Sequence, residues 1–483
     1  MTPSPVEGKM EKKTPELEEN EENGVNTEEE EEEEAETKAE EEESEPPSHL
    51  PFAPPSASTS ELIDDSTTVD PSYVISLIRQ LLPSDLDKEK TSASEEKTEK
   101  EEPWEESGCI LWDLAAAKIQ AEVMVDNFIL DVLLANLHAS KSPRIKEICL
   151  GIVGNLACHE SLSCKLSSQE GLIETVVQQL FLDDSSCLTE ALRLLEAAIQ
   201  TSVYASWSDA LLSEEVLQRV LWILENTLNS SLFEKCIDFI LAVIDNEDVA
   251  KILLGHLMKL CLPDIAINLL SSEVEKSGDD MLARTEVLDK TISLVEGLSA
   301  VDGFLEVVSS KEKLIQCLCK ILKAPDKFEI LETCTSAVLV LANLFADENI
   351  LSVLIGDFSF LEGLFDTLPV VADDIEARNA IWFIMSKVLG EAVDKFSKES
   401  LYRLAELILR KSVLIEESMN AQLLQEPQDE SATNDYVRLH GVKKSITMIV
   451  QIIEKWSGDE SLSRQSDAIE KAHRLLNSCS KYL

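Results

Sequence analysis

Long apolar runs are absent from this chain of 483 residues. None approaches the ~20 consecutive apolar residues that a membrane-spanning helix requires, which argues against a membrane protein. The chain also opens without the apolar core and cleavage pattern of a signal peptide. Because cysteines pair mainly in oxidising compartments, the eleven cysteines are expected to be free thiols. We therefore expect a soluble, intracellular protein.

Recognisable catalytic motifs are missing as well. The chain has no phosphate-binding loop, no glycine-rich dinucleotide turn and no His-Glu-x-x-His zinc motif. Its six histidines are scattered, and the one Cys/His neighbourhood, Cys158, His159 and Cys164 with His138, lacks a standard zinc spacing. These absences predict a protein that is not an enzyme and that has no catalytic residue, cofactor or metal site.

Basic residues are scarce, and the net charge is −50. Residues 1–108 hold 34 acids and 9 bases, with seven consecutive glutamates from Glu28 to Glu34. Since the chain has only 5% aromatic residues, this segment has too little to bury and is predicted to be disordered. Its charge repels nucleic acid and anionic membranes, so neither is an expected partner. It either attracts a basic protein or only keeps the chain soluble.

One segment inside this acidic tail has a helical pattern. Residues 72–83 carry apolar side chains at helical spacing between Pro71 and Pro83. An exposed stripe of this size is a liability, so we expect the segment to dock on the first repeat. A partner-binding motif is the alternative.

The strongest helical signal lies between Arg144 and Cys158. Apolar residues recur there at i, i+3, i+4, i+7 and i+8, which keeps one face of a helix apolar. Ser142 and Pro143 suit the N-cap and the first helical position. Gly151 and Gly154 each cost about 1 kcal/mol of helix propensity against alanine. Two such costs predict that something packs very closely on that side.

Similar helices recur along the chain at a nearly constant interval. Their corresponding positions are near Asn155, Ala198, Ala242, Gly297, Asn343 and Ser386. The intervals of 43, 44, 55, 46 and 43 residues are typical of armadillo and HEAT repeats, whose units stack into one continuous core. The longest interval predicts an insertion near residues 274–280.

The pattern predicts an all-α fold, an armadillo/HEAT-like right-handed superhelical solenoid of about six repeats behind a long acidic disordered tail. The repeats are expected over residues 109–415. An acidic loop over 416–435 would separate them from capping helices within 436–483, whose outer faces carry more charge.

Three segments resemble a known family. Residues 141–158, which contain SPRIKEICLGIVGNLAC, look like the most recognisable segment of the serum amyloid A-like 1 proteins. Residues 109–113 (CILWD) resemble that family's Cys-x-x-Trp-Asp, and residues 72–83 resemble its short leading helix. The chain resembles a plant or other distant member of this family. The resemblance implies an armadillo-type helical protein of the nucleus and/or cytoplasm. It also implies a link in animals to proliferation, with no enzymatic activity assigned.

Asparagines on the last helix of a repeat suggest where a partner would bind. In armadillo repeats this helix lines the concave face, where an asparagine can bond the backbone of an extended peptide. Asn155 and Asn343 occupy such positions. In importin-type grooves a tryptophan precedes the asparagine by four residues, but here those positions are Gly151 and Leu339. Binding of classical nuclear-import signals is therefore not expected, and the alternative is that both asparagines only satisfy neighbouring backbone groups.

Trp382 and Arg144 complete the set of candidate partner-binding residues. Trp382 stands at the tryptophan position of its repeat, although Ser386 replaces the asparagine. We predict a scaffold that holds a protein partner on the concave face around Arg144, Asn155, Asn343 and Trp382. The alternative is a chaperone or transport adaptor whose acidic tail binds basic nuclear proteins.

Overall fold

Apolar residues at three- and four-residue spacing fold most of the chain into α-helices. A computed structural model describes residues 69–82, 98–277, 285–345, 350–351, 354–423, 432–458 and 466–482, and these contain helices but no strand. The predicted disordered tail lies largely outside the described residues, as does the centre of the predicted acidic loop. The described residues fall in one compact unit, residues 67–483.

The described helices follow one another with short connections. In chain order they are α1 (Pro71–Gln80), α2 (Thr98–Leu114), α3 (Lys118–Asp126), α4 (Ile129–Ala139), α5 (Pro143–Ala157), α6 (Glu160–Ser168), α7 (Leu172–Gln179), α8 (Ser185–Ile199), α9 (Tyr204–Leu211), α10 (Glu214–Asn226), α11 (Ser230–Asp245), α12 (Glu247–Lys259), α13 (Leu262–Ser277), α14 (Thr285–Ser299), α15 (Phe304–Val307), α16 (Lys311–Leu322), α17 (Leu331–Leu344), α18 (Phe358–Thr367), α19 (Ile375–Lys395), α20 (Lys398–Arg410), α21 (Ser412–Leu423), α22 (Ala432–Ser457) and α23 (Ser466–Cys479).

Three-helix units repeat through the stack, starting with α3 to α5. The third helix of each unit packs on the third helix of the next, so α2, α5, α8, α11, α14, α17, α19 and α22 form one continuous row. We call these the ladder helices. The second helices form a parallel row, in which α10 packs on α13, α13 on α16 and α16 on α18. This arrangement confirms the predicted solenoid.

The row of ladder helices is longer than the sequence pattern predicted. Helix α2 begins at Thr98, inside the span predicted as tail, and α22 extends the ladder beyond the last predicted repeat. The predicted loop over 416–435 is also too long, because α21 continues to Leu423 and α22 starts at Ala432. In the part of the chain that the structure describes, no single helix is long and apolar enough to cross a membrane. By length and composition alone, the bent pair α12 and α13 would pass the same test.

The leading helix α1 docks on the first helices of the stack, as predicted. Val74, Leu77, Ile78 and Leu81 are at most 4% exposed, and α1 packs against α2 and α3. The carbonyl of Leu81 accepts hydrogen bonds from Trp104 Nε1 at 3.3 Å and from Asn136 Nδ2 at 2.7 Å. Helix α1 is thus part of the core.

Two truncations should separate the acidic tail from α1. Removing residues 1–68 is expected to leave the melting temperature within about 2 °C, because a charged segment with little to bury contributes little stability. Removing residues 1–97 also removes α1, and we expect a loss of more than about 5 °C because four buried apolar side chains are lost. Calorimetry measures both, and equal melting temperatures would contradict the docking of α1.

Candidate protein-binding face

The ladder helices expose one side, which we call the ladder face. Between α5 and α19 its half-buried or exposed residues recur every three or four positions. They include Arg144, Glu147, Asn155, Glu190, Arg193, Glu196, Lys235, Asp238, Asp289, Lys290, Glu296, Glu332, Asn343, Glu376, Phe383 and Lys387. The remaining positions of each helix are mostly buried. Any segment that binds along the stack of ladder helices would meet these side chains.

The two glycines of α5 do admit close neighbours. A Cβ at Gly151 would lie 2.1 Å from the indole ring of Trp112, and one at Gly154 would lie 2.8 Å from a guanidinium nitrogen of Arg193. The prediction of close packing is therefore confirmed. Trp112 comes from the preceding ladder helix, and its ring covers the position where an importin-type repeat would have its own tryptophan.

The side-chain amide of Asn155 is satisfied inside the chain. Its Nδ2 donates to the carbonyl of Trp112 at 2.8 Å, and its Oδ1 accepts from Arg193 Nη1 at 3.0 Å. Arg193 also donates to the carbonyl of Gly151 at 3.0 Å. The amide thus does not need a peptide backbone as a partner, and it ties three ladder helices together. Sequence analysis noted Trp112 only as part of the CILWD segment and did not note Arg193, although Trp112 stands one repeat interval before Asn155.

The other two exposed candidates also have partners within the chain. Asn343 is exposed, and its Nδ2 donates to Ser299 Oγ at 3.0 Å. Arg144 is exposed, donates to Glu147 at 2.9 Å and lies 3.9 Å from Glu105. The hydrogen bond to Glu147 is the main cause of its raised pKa. Both lie on the ladder face, at opposite ends of the predicted site.

The prediction for Trp382 is wrong. Its side chain is 1% exposed, and its indole N–H donates to Ser418 Oγ at 3.2 Å. Because neighbouring helix positions are about 100° apart, one residue of difference decides which side a side chain takes. On α19 the ladder face carries Phe383, one position later, and the Lys387 ammonium lies 5.6 Å from its ring centroid. Trp382 instead belongs to the core that α21 and α22 cover.

A row of alternating charges crosses the middle of the ladder face. Lys235 lies 3.8 Å from Glu196 and 2.8 Å from Asp238, and Lys290 lies 2.7 Å from Asp238. Burial acts to raise the pKa of Asp238, but the hydrogen bonds from both lysines outweigh it and hold the pKa below its ordinary value. These ion pairs join α8, α11 and α14.

Beyond Lys290 the acids of the ladder face have no basic partner in the part of the chain that the structure describes. Among the described residues no lysine or arginine forms an ion pair with Asp289, Glu296, Glu332 or Glu376. Burial raises the pKa of Asp289, against a hydrogen bond from Thr333, and Glu332 raises it further. Burial also raises the pKa of Glu296, where Ser336 opposes the shift and Glu376 adds to it. From α14 to the start of α19 the ladder face therefore presents carboxylates that form no ion pair with a basic side chain among the described residues.

Opposite pKa shifts predict opposite effects of two neutralising substitutions. The raised pKa of Glu296 means that folding disfavours the charged form of this side chain. The stability that Glu296 contributes to the folded chain is therefore present below the ordinary carboxyl pKa and is lost as pH rises. Glu296→Gln should raise the melting temperature by about 1 °C at pH 7. At pH 4 it should not raise the melting temperature. Asp238→Asn should lower it at pH 7, because a lowered pKa contributes stability above the ordinary pKa. Thermal melts at both pH values check the signs, and shifts of the same sign at pH 7 would contradict the assignment.

The described residues show no group of three or more histidines, cysteines or acids placed to hold a metal. Burial raises the pKa of the Cys236 thiol to about 12 and that of Cys334 to about 11. These thiols remain protonated at neutral pH and pack as small apolar side chains.

Comparisons with known proteins agree with the resemblance in the sequence. No model of a known protein family matches the chain. Human Protein SAAL1 is 27% identical over 164 residues, which is 34% of this chain and 35% of the human protein. Zebrafish Protein saal1 is 24% identical over 294 residues, 57% of this chain and 62% of its own length. The chain thus spans between about a third and three-fifths of these relatives, and it is a distant relative of them.

Solved helical repeat proteins also match the chain, with low scores. A designed armadillo repeat protein in complex with the peptide (KR)4 has a TM-score of 0.42 and 14% identity, and covers 56% of this chain and 98% of its own. An engineered protein has a TM-score of 0.45 and 16% identity, and covers 84% of this chain and 98% of its own.

Proposed function

We propose that this chain, a distant member of the serum amyloid A-like 1 family, is a non-catalytic scaffold that holds an extended basic segment of a partner protein. The ladder face is the binding surface. The observation that carries the proposal is the set of acids from α14 to α19 without basic partners among the described residues. In solenoids, a small rotation between repeats turns such a row into an extended binding surface.

Charge and partial burial together make these acids suitable for recognition. A half-buried carboxylate pairs with a cation more strongly than an exposed one, because fewer water molecules screen it. Asp289 and Glu296 are half-buried and sit beside the exposed Glu332 and Glu376. Lysine or arginine side chains at successive positions of a partner would find carboxylates on successive ladder helices. Such a role fits the nuclear and/or cytoplasmic location and the link to proliferation that the resemblance implies.

The acidic tail would attract the same basic partners, so an experiment must separate binding by the ladder face from binding by the tail. A fluorescent oligolysine peptide, followed by anisotropy, serves as the probe. Replacing Glu332 and Glu376 with Gln should weaken binding about tenfold, because two charge-assisted contacts are lost. Both side chains are exposed, so the fold should tolerate the change. The matched control replaces Glu174 and Glu399, which are exposed acids on α7 and α20.

The control variant and a deletion of residues 1–68 should bind within about twofold of the full chain. Loss of binding on deletion, with the ladder-face variant unchanged, would contradict the proposal and favour the adaptor whose tail binds the partner. Salt gives a second measure. Binding by the acidic tail should fall steeply between ~50 and 300 mM salt, while partly buried ladder-face pairs are screened less.

A further inference from the structure

Among the described residues, side chains join neighbouring ladder helices at all but one of the seven junctions between α2 and α22. The joined pairs, in order along the stack, are Asn155 with Trp112, Arg193 with Asn155, Lys235 with Glu196, Lys290 with Asp238, Asn343 with Ser299, and Ser445 with Trp382. Between α17 and α19 the described side chains form neither a hydrogen bond nor an ion pair. The described side chains of this junction meet through apolar packing.

Acids on either side of α17 repel one another. Asp374 and Glu376 at the start of α19 act on Glu296 of α14 across α17, and both disfavour its charged form. Repulsion of Glu296 by Asp374 and Glu376 favours separation of α14 and α19, the helices on which these carboxylates lie.

The second-helix row is tight at this same boundary between repeats. Gly363 of α18 lies so close to the end of α16 that a Cβ there would be 2.1 Å from the carbonyl oxygen of Leu322. Lys323 also forms an ion pair with Asp357, the N-cap residue of α18, at 2.5 Å. One side of the boundary is therefore fixed by backbone contact and an ion pair, whereas among the described residues the ladder side has no ion pair.

We infer that the stack bends at the junction of α17 and α19, about the contact of Gly363 with Leu322, and that a basic side chain of a bound segment closes it. The cation would lie between Glu296 and Glu376, where it removes the repulsion. The closing step rests on the proposed function, but the bending does not. Binding of a basic partner would then change the curvature of the ladder face at this position.

Distances between spin labels on non-canonical residues test the bending without using the native cysteines. One pair, at Gln316 on α16 and Glu406 on α20, spans the junction. The control pair, at Glu174 on α7 and Lys259 on α12, also runs from the second helix of one repeat to the first helix two repeats later. All four positions are exposed. The distance distribution should be at least about twice as broad for the spanning pair, and equal widths would overturn the inference.

Glu376→Lys tests the repulsion, because it places a cation beside Glu296. We expect it to narrow the distribution of the spanning pair to about that of the control pair. A lysine in the first turn also loses a favourable helix-dipole interaction. Glu214→Lys, in the exposed first turn of α10, has the same loss away from the junction and should leave the distribution unchanged. Equal effects of the two variants would overturn the role of repulsion.

Addition of oligolysine to the spin-labelled chain, without the lysine substitutions, tests the closing step. The distribution of the spanning pair should narrow as the peptide binds, while that of the control pair stays constant. If Glu376→Lys narrows the distribution but oligolysine leaves it broad, the bending is supported and the proposed binding on the ladder face is contradicted. If oligolysine binds by anisotropy but neither treatment changes the width, the binding stands and the bending is overturned.

Discussion

Ile152→Asp is expected to unfold the chain or drive it into aggregates. Ile152 is 0% exposed in the middle of α5, the helix between Trp112 on one side and Arg193 on the other. A carboxylate there has no water to solvate it, and the cost should exceed about 4 kcal/mol. Since each repeat depends on its neighbours for a buried face, the damage should spread beyond α5.

Leu228→Asp provides the matched control. Leu228 lies between α10 and α11 and is fully exposed, at 103% of its reference area, so the same kind of substitution should leave the circular dichroism melt unchanged. Soluble Ile152→Asp protein with an unaltered melt would contradict the position of α5 at the centre of the stack.

The position of α5 could be predicted because its sequence carries several agreeing signals. Its apolar spacing, its Pro143 start and its two glycines all depend on local geometry. Apolar spacing also identified α1 as a docked helix, because its apolar side chains form a stripe. Long-range pairing has no such local signal, and for this reason Trp112 and Arg193 were missed although they occupy the space beside Gly151 and Gly154.

The error at Trp382 has a physical cause in the register of the last repeat. The predicted alignment counted 43 residues from Asn343 to Ser386, but the exposed side of α19 follows Phe383 and Lys387, one position later. A shift of one residue turns a side chain by about 100°, which moves Trp382 from the surface into the core. Apolar spacing tolerates such a shift, because α19 is apolar on much of its circumference.

The acids without basic partners among the described residues of the ladder face also could not be predicted from composition. Asp238 and Asp289 look alike in sequence, since both lie within acidic and apolar helices. In the structure Asp238 accepts hydrogen bonds from two lysines, whereas Asp289 accepts one from Thr333. Which acid is compensated depends on the diagonal offset between neighbouring ladder helices, and only the packed stack defines that offset.

Gly363→Ala is expected to destabilise the chain by about 1–3 kcal/mol, the range of overpacked sites. In an isolated helix the same change would stabilise by up to about 1 kcal/mol, because alanine has the better helix propensity. At Gly363 the new Cβ would meet the carbonyl oxygen of Leu322 at 2.1 Å and its carbon at 2.9 Å. Both are backbone atoms, so α16 and α18 would have to move apart.

The carbonyl of Leu322 has a second role that makes the movement more costly. The ammonium of Lys327, 5% exposed, donates a hydrogen bond to it and another to the carbonyl of Ala324 at 2.9 Å. Burial lowers the pKa of Lys327, so its charge depends on these acceptors. If Leu322 is displaced, a buried cation loses one of them, and an unmade buried hydrogen bond costs more than a made one contributes.

Gly255→Ala separates this contact from helix propensity. Gly255 lies within α12, is exposed and has nothing within 4 Å of its added Cβ, so alanine there should raise the melting temperature slightly. Opposite signs for the two substitutions in thermal melts would show that α16 and α18 touch through their backbones. A stabilising Gly363→Ala would contradict that contact, and the junction of α17 and α19 would then lose the fixed point about which it is inferred to bend.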